Sequence, residues 1–405
     1  MGERRMARRY LVVGAGVAGV TACQSIRDND PEGDIRLFTD ESYPFYSRMR
    51  LPEVVSSKVE PERLVLRGPA WLEERGIRFH PGEKIEGIRL DPLTVISARG
   101  QYRADKLLLA TGGYSFVPPI HGAGLGGVFC LRTMADALQI RDQAQQATKA
   151  LVIGGGVLGL ELGNALRARG LEVTVVEVFD RLLPRQTDPG AASILQKTME
   201  QMGFRFRLGV RPVEIRGDGK RARAVLLQDG QSLEGDMFLI SAGVRPRLEL
   251  AKAVGLTMDK AVVVNDRMET SIQDIYAAGD CVQHRGLYYG IWPAAEQQGL
   301  VAGTNMAGAE ASYTGTLMSN QLKVLGIDLL AAGETDPEGS LEAELVCDPP
   351  RGVYRKIVYK DDRIVGTILL GDISGHKKIL RALEEGRSLG SLKGSVLRDP
   401  DALGD

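Results

Sequence analysis

Short, largely apolar runs recur along this chain. Leu11-Val12-Val13, Ile35-Arg36-Leu37-Phe38, Leu107-Leu108-Leu109-Ala110, Leu151-Val152-Ile153, Val173-Thr174-Val175-Val176 and Phe238-Leu239-Ile240 all have this character. Runs of this kind, with no polar face, belong to strands of a parallel sheet covered on both sides. Two of them pass through a glycine turn into helical spacing, at residues 20–26 and 160–169, and then into a second strand at residues 34–41 and 171–177. This strand–helix–strand order predicts an α/β fold with parallel sheets. Shorter strands are expected at residues 77–80, 86–90, 93–97, 210–216, 223–229 and 270–277, and a helix at 293–306. Residues 43–52 form an aromatic and basic stretch expected to be an irregular loop. Small residues at 307–315 suggest a boundary. Beyond it come strands at 317–333 and 341–347, a hairpin of 353–360 with 364–370, a helix at 377–385 and a loose polar tail from Gly390.

The junctions between first strand and helix carry the chemistry. Gly14, Ala15, Gly16, Ala18 and Gly19 spell G-x-G-x-x-G, and Gly154, Gly156, Val157, Leu158 and Gly159 repeat the pattern. In such a loop the first glycine allows the tight turn and the second lets a pyrophosphate approach the backbone. The third lets helix and strand pack closely. The helix N-terminus then offers unspent N–H groups and a partial positive charge. An acid about 20 residues further on suits a ribose diol. Asp40 stands 21 positions after Gly19 with Glu41 beside it, Asp40 being preferred, and Glu177 stands 18 positions after Gly159. Two such units in one chain imply two nucleotides.

At 405 residues the chain is long enough for two or three domains. Lys and Arg (51) balance Asp and Glu (52), so no bulk charge calls for nucleic acid or an anionic membrane. No apolar run approaches the ~18–20 residues of a membrane span. The basic start, residues 1–9, lacks the apolar core of a signal peptide, and a cytoplasmic location is the expectation. Cys23, Cys130, Cys281 and Cys347 are scattered, with no C-x-x-C and no metal-ligand spacing to the four histidines. They read as reduced thiols, and His80, His121, His284 and His376 as structural or exposed. No metal is expected.

Taken together, five motifs in order resemble the pyridine nucleotide–disulfide oxidoreductase superfamily. They are Gly14-x-Gly16-x-x-Gly19, Ala110-Thr111-Gly112, Gly154-x-Gly156-x-x-Gly159, Gly243-Val244-Arg245-Pro246 and Ile275-Tyr276-Ala277-x-Gly279-Asp280. Residues 43–48 and 354–372 resemble the branch of NADH:rubredoxin reductases and NAD(P)H-nitrite reductase flavin portions. The resemblance implies two Rossmann-like domains, with the NAD domain (117–243) inserted in a split FAD domain (1–116 and 244–311), and a small α+β C-terminal domain (312–405). It implies FAD in the first cradle, with contacts from Arg48, Ile85, Ala110, Thr111, Gly112, Gly279 and Asp280. It places NADH in the second, with contacts from Glu161 and Gly243. Backbone N–H groups near Glu296 and Gln297, at a helix start, are expected to stabilise negative charge on the reduced flavin.

Relatives that run disulfide chemistry carry C-x-x-x-x-C near the first helix or one cysteine near residues 47–48. This chain has neither, since Ser47-Arg48 stands at the second place. Related ferredoxin-type reductases carry Lys near position 53 paired with a Glu matching Glu161; here the residue is Glu53, and two facing carboxylates would repel. Glu177 favours NADH, because repulsion of a 2′-phosphate ~4 Å away by a few kcal/mol gives roughly hundredfold discrimination; Arg181 would offset part of it. The resulting reading is an NADH-dependent FAD oxidoreductase in which hydride passes from nicotinamide to flavin and electrons go on to rubredoxin, ferredoxin or another iron protein. The alternatives are an NADH oxidase releasing hydrogen peroxide and an electron-entry subunit of a larger complex such as a nitrite reductase. The chain is read as a homodimer or as part of such a complex.

Overall fold

The computed structural model describes residues 7–324 and 326–404, so the basic start up to Met6, and Leu325 within the strands expected at 317–333, lie outside the described residues. The chain divides into two compact units. The first comprises the described residues up to Arg50, Glu60–Tyr114 and Val244–Thr316; the second comprises Leu51–Val59, Ser115–Gly243 and the described residues from Leu317 onward.

In the first unit five parallel strands stand in the order Ile275–Ala277, Lys106–Leu109, Arg9–Val13, Asp34–Phe38 and Ile77–His80. The strand that closes one side thus comes from beyond residue 244. Tyr10, Leu11, Val12, Ile35, Leu37, Leu107 and Leu108 are all buried, as unbroken apolar strands require when both faces are covered. Helix Val17–Asn29 crosses helix Trp292–Ala307 at a glycine contact: a Cβ on Gly299 would stand 2.3 Å from the Ala18 carbonyl oxygen, and one on Gly303 2.5 Å from that of Ala22. Small residues four apart on both helices let the backbones approach, and a bond of 2.8 Å between Ser25 Oγ and Thr304 Oγ1 lies alongside. A three-stranded antiparallel meander, Ile85–Leu90, Leu93–Ser97 and Gly100–Arg103, completes the unit.

The second unit repeats the parallel arrangement, with Val128–Phe129, Met237–Ile240, Lys149–Ile153, Glu172–Val176 and Arg205–Arg207 in that order. It also holds an antiparallel sheet ordered Ser319–Val324, Ile327–Gly333, Arg363–Leu370, Val353–Lys360 and Glu342–Asp348. Asp188 caps helix Pro189–Gln201 by accepting from Ala191 N at 2.9 Å. It also accepts from Tyr354 Oη at 2.6 Å and from Lys356 Nζ at 3.1 Å on that sheet. All three side chains are buried, and the ammonium is further satisfied by the carbonyls of Thr335 and Asp336.

Several expectations are corrected. Residues 43–52 are ordered: Phe45–Tyr46 pairs with Val65–Arg67, Arg48–Arg50 is a 3-10 turn, and helix Leu51–Val55 follows with four buried side chains. The tail is packed, because Val396, Leu397 and Leu403 close the core under helix His376–Glu384. The strand expected over 34–41 ends at Phe38, and that over 270–277 is confined to Ile275–Ala277. Among the helices that went unread, the two longest are Met134–Gln143 and Pro189–Gln201. Their signals were Thr133-x-x-Asp136, which forms a reciprocal capping box, and Asp188-Pro189, a capping acid before proline at the first helical position.

Candidate functional site

The two glycine loops have the same internal geometry. Gly14 has φ +114°, and a Cβ there would lie 2.0 Å from the Ala110 carbonyl oxygen; its N–H donates to Phe38 O at 2.8 Å. A Cβ on Gly19 would stand 1.9 Å from Gly14 O. Gly154 has φ +119° with Ser241 O at 2.2 Å, and Gly159 has Gly154 O at 2.1 Å. Between these crowded pairs, Gly16 and Gly156 have nothing within 4 Å of a built Cβ. Each open glycine is also the N-cap of its helix, Val17–Asn29 or Val157–Arg167, so Ala18, Leu158 and their neighbours lie in first turns whose N–H groups have no partner within the helix. Structure fixes the first and third glycines by sterics and leaves the second bare toward open space. A dinucleotide pyrophosphate fits both loops on this geometry.

A cleft of about 420 Å³ opens beside the first loop, at the carboxyl ends of its strands. Val13, Gly14, Asp40, Ile85, Thr111 and Arg247 are among its lining residues. Ligands of open α/β sheets bind at such strand ends, where neighbouring connections run in opposite directions. Thr111 Oγ1 donates to Arg247 O at 3.0 Å and Arg247 N to Gly112 O at 2.9 Å. These bonds bring the Arg247 guanidinium to Asp40, 3.0 Å away. Under the cleft, buried Glu83 accepts from Ser97 Oγ at 2.6 Å and Tyr102 Oη at 2.8 Å, with His80 Nδ1 at 3.0 Å. Burial alone would raise its pKa, but these bonds together hold it below the usual carboxylate range.

Glu41 is engaged by two side chains. Its carboxylate accepts from Arg48 at 2.5 Å and Tyr46 Oη at 2.6 Å, while Arg48 also donates to Tyr46 Oη at 3.0 Å. In the second unit Glu177 is only 6% exposed, and its two oxygens accept from Gly155 N at 2.6 Å and Phe179 N at 2.9 Å. A carboxylate offers about four lone-pair sites, so two remain for a diol. Ser241 lies beside Gly154 as Ala110 does beside Gly14, and Gly243 (φ +100°) follows it as Gly112 (φ +66°) follows Ala110. Glu161 is half-buried on helix Val157–Arg167, and Glu53 half-buried on Leu51–Val55.

Gly279 (φ +85°) and half-buried Asp280 follow strand Ile275–Ala277, and Gly279 N donates to Gln298 Oε1 at 2.9 Å. The helix expected over 293–306 runs from Trp292 to Ala307, which puts Glu296 and Gln297 past its first turn. The N–H groups of Glu296 and Gln297 therefore sit in the second turn, where a helix spends them on carbonyls four residues back. The first-turn groups belong to Trp292 and Ala294, since Pro293 has none. Arg247 and Gln298 are polar groups that sequence reading missed; no local pattern marks either.

The remaining residues are structural. Cys281 is buried with Sγ 3.3 Å from Leu109 O, and burial pushes its pKa up, as it does for Cys23. His284 Nε2 lies 2.8 Å from Asp266, His376 Nδ1 3.0 Å from Ile373 O, and His121 is exposed beside Glu214. Among the described residues no cluster of three metal-ligating side chains occurs, and no helix is long and apolar enough to cross a membrane.

A glycine cradle built twice, each at the head of a parallel sheet, defines a two-dinucleotide α/β oxidoreductase. The chain belongs to the pyridine nucleotide-disulphide oxidoreductase family, whose model matches residues 8–299; residues 319–387 match the rubredoxin NAD+ reductase C-terminal domain. It is 33% identical over 400 residues to the assimilatory nitrate reductase electron transfer subunit of Bacillus subtilis, covering 98% of this chain and 52% of that protein. It is 34% identical over 343 residues to an NADH oxidase of Methanocaldococcus jannaschii, covering 81% and 76%. The crystal structure of NADH:rubredoxin oxidoreductase from Clostridium acetobutylicum superposes with a TM-score of 0.82 at 26% identity, covering 97% and 100%. The chain spans about half the length of the nitrate- and nitrite-reductase relatives it matches.

Proposed function

We propose that this chain binds FAD in the first cradle and NADH in the second, and passes electrons from NADH to an external iron protein of the rubredoxin or ferredoxin kind. The observation that carries this reading is the duplicated cradle, bare at Gly16 and Gly156 and crowded at the glycines on either side. In it, residues 1–116 and 244–311 serve FAD, residues 117–243 serve NADH, and 312–405 form the C-terminal domain. Bound FAD supplies the step between a two-electron donor and one-electron carriers.

The residues around it bind and orient. Gly14, Ala15, Gly16 and the helix that follows hold the pyrophosphate, and Asp40, already fastened by Arg247, takes the ribose. Ile85 and the Ala110-Thr111-Gly112 turn wall the cleft, Arg48 adds positive charge near the phosphates or flavin, and Asp280 holds the ribityl chain. In the second cradle Gly154, Gly156, Val157 and Leu158 hold NADH, Glu177 accepts the ribose diol, and Glu161 approaches the nicotinamide. Buried Cys281 and the absence of a cysteine at Ser47 speak against a thiol cycle. Four unpaired cysteines suit a reducing, cytoplasmic setting.

A second reading, an electron-entry subunit working inside a larger complex, is favoured by the match to the B. subtilis electron transfer subunit across 98% of this chain. The decisive experiment is anaerobic. The purified protein should carry FAD that bleaches with NADH and recovers its colour on addition of rubredoxin or ferredoxin. Recovery with oxygen alone would favour an oxidase, and failure of NADH to bleach the flavin would end the reductase reading.

A further inference from the structure

The stretch between Glu177 and helix Pro189–Gln201 comes back to touch the second cradle. Leu183 N donates to Gly155 O at 3.0 Å. Gly155 N is already spent on the Glu177 carboxylate, so residues 177 and 183 hold both main-chain groups of this glycine. The approach is close: a Cβ on Gly155 would stand 3.1 Å from Leu182 Cδ2 and 3.2 Å from Glu177 Oε2.

The carbonyl that Leu183 holds belongs to the same peptide unit as the N–H of Gly156. A trans peptide is planar, with its oxygen and its hydrogen on opposite edges. Fixing Gly155 O therefore fixes the direction of the Gly156 N–H, which belongs to the one glycine of this loop that is bare toward open space.

Leu183 makes this bond from a left-handed conformation, φ +51°, that leucine seldom adopts, and its side chain is fully buried. Neighbouring bonds must hold it there. Thr187, itself buried, supplies them. Its N–H donates to Leu183 O at 2.9 Å, and its Oγ1 proton is shared between Leu182 O at 2.7 Å and Leu183 O at 3.1 Å.

The next residue, Asp188, is anchored on strand Val353–Lys360 by Tyr354 Oη at 2.6 Å and Lys356 Nζ at 3.1 Å. The Tyr354 ring packs on Gly190, where a Cβ would come within 2.8 Å of Cε2. Tyr354, Asp188, Thr187 and Leu183 are all buried. A continuous buried series thus runs from the antiparallel sheet, through residues 188, 187 and 183, to the main chain of the second cradle.

We propose that Tyr354 is a positioning residue of the NADH half-site: through Asp188, Thr187 and Leu183 it aims the Gly156 N–H and steadies the loop that carries Glu177. This rests on the assignment of NADH to the second cradle. Without the Tyr354 hydroxyl the buried Asp188 carboxylate loses a donor and the far end of the loop is held less firmly. The groups that meet the pyrophosphate and the adenosine ribose then lose their preorganisation, while the flavin and the approach of the nicotinamide are untouched.

The test uses Tyr354→Phe, which keeps the ring on Gly190, and Thr187→Val, which keeps the shape of the side chain and removes its Oγ1 bonds. On the oxidised, FAD-loaded protein, with which NAD+ does not react, calorimetry gives the Kd for NAD+ and for ADP-ribose. The melting temperature and the limiting rate of flavin reduction by saturating NADH are read alongside. Loss of one buried hydrogen bond should weaken NAD+ and ADP-ribose by the same factor, about 3- to 10-fold, with the limiting rate as in wild type. A wild-type Kd for both ligands in either folded variant overturns the proposal, whatever its melting temperature, and so does a fall in limiting rate with both Kd values unchanged. Should Tyr354→Phe fail to fold, Thr187→Val carries the same test. A wild-type protein that binds neither ligand overturns the NADH assignment and this proposal with it, whereas binding by wild type with unaltered variants overturns this proposal alone.

Discussion

Each glycine of a cradle does a separate job, and substitution separates them. Gly14→Ala drives a Cβ against the Ala110 carbonyl at a backbone angle that L-residues avoid, so it should cost roughly 3–4 kcal/mol of stability. Gly16 has an extended backbone and open space, so Gly16→Val should unfold at nearly the wild-type denaturant concentration yet lose FAD. Denaturant titration of the two apoproteins, with FAD retention measured in parallel, checks both. Glu177 was legible as an acid at a strand end, but its bonds to Gly155 N and Phe179 N, which fix its orientation, were not; the proposed ribose role gives it a consequence for the choice of nucleotide. Stopped-flow reduction should favour NADH over NADPH by roughly a hundredfold, and equal rates would refute the role. Asp266 carries a pH signature. Hydrogen bonds first from Arg285 and then from His284 lower its pKa from 3.8 to about 2. The stability it contributes is full above its unfolded value and is lost as pH falls through about 2. Unfolding midpoints measured between pH 5 and pH 2 should therefore fall with acid in the wild type and fall less in Asp266→Asn.

Secondary structure was legible where the pattern is contiguous. Most parallel strands were found because burial on both faces leaves them largely apolar, the short Val128–Phe129 and Arg205–Arg207 being missed, and the hairpin of Val353–Lys360 with Arg363–Leu370 was found because two apolar runs flank Asp361-Asp362. Misjudged elements owe their form to distant partners. Phe45–Tyr46 is a strand only because Val65–Arg67 lies against it, and the tail is ordered only because a core exists to receive Val396, Leu397 and Leu403. By contrast, helix Trp292–Ala307 was read within a residue at either end, since proline at its start and the small and apolar residues along it mark it locally. The Asp188 junction gives an element-scale prediction. Asp188→Ala removes a helix cap and leaves the buried Lys356 ammonium without its counter-charge, which should cost about 3–5 kcal/mol. Thermal unfolding of the variant measures this, and an unchanged melting temperature would show that the pair adds nothing.

For the whole molecule, thiol chemistry distinguishes a flavin reductase from a disulfide enzyme. Cys347 is exposed, while Cys23 and Cys281 are buried with pKa values raised by burial. A charged alkylating reagent should label Cys347 and spare the other two in the native protein. Cys281→Ser should keep its FAD and its NADH-dependent flavin reduction; loss of that reduction with FAD still bound would show a redox role. The sequence by itself determined that the chain holds two dinucleotide cradles, because a strand, a turn that needs glycine and a helix start are written in consecutive residues. Tertiary structure alone decided what surrounds them. Arg247 meets Asp40 across 207 positions, Tyr354 meets Asp188 across 166, and Gln298 reaches back to Gly279. Backbone conformation is a local property that residue type constrains directly. The partner of a polar side chain depends on which distant segments packing brings together, and no local pattern records that.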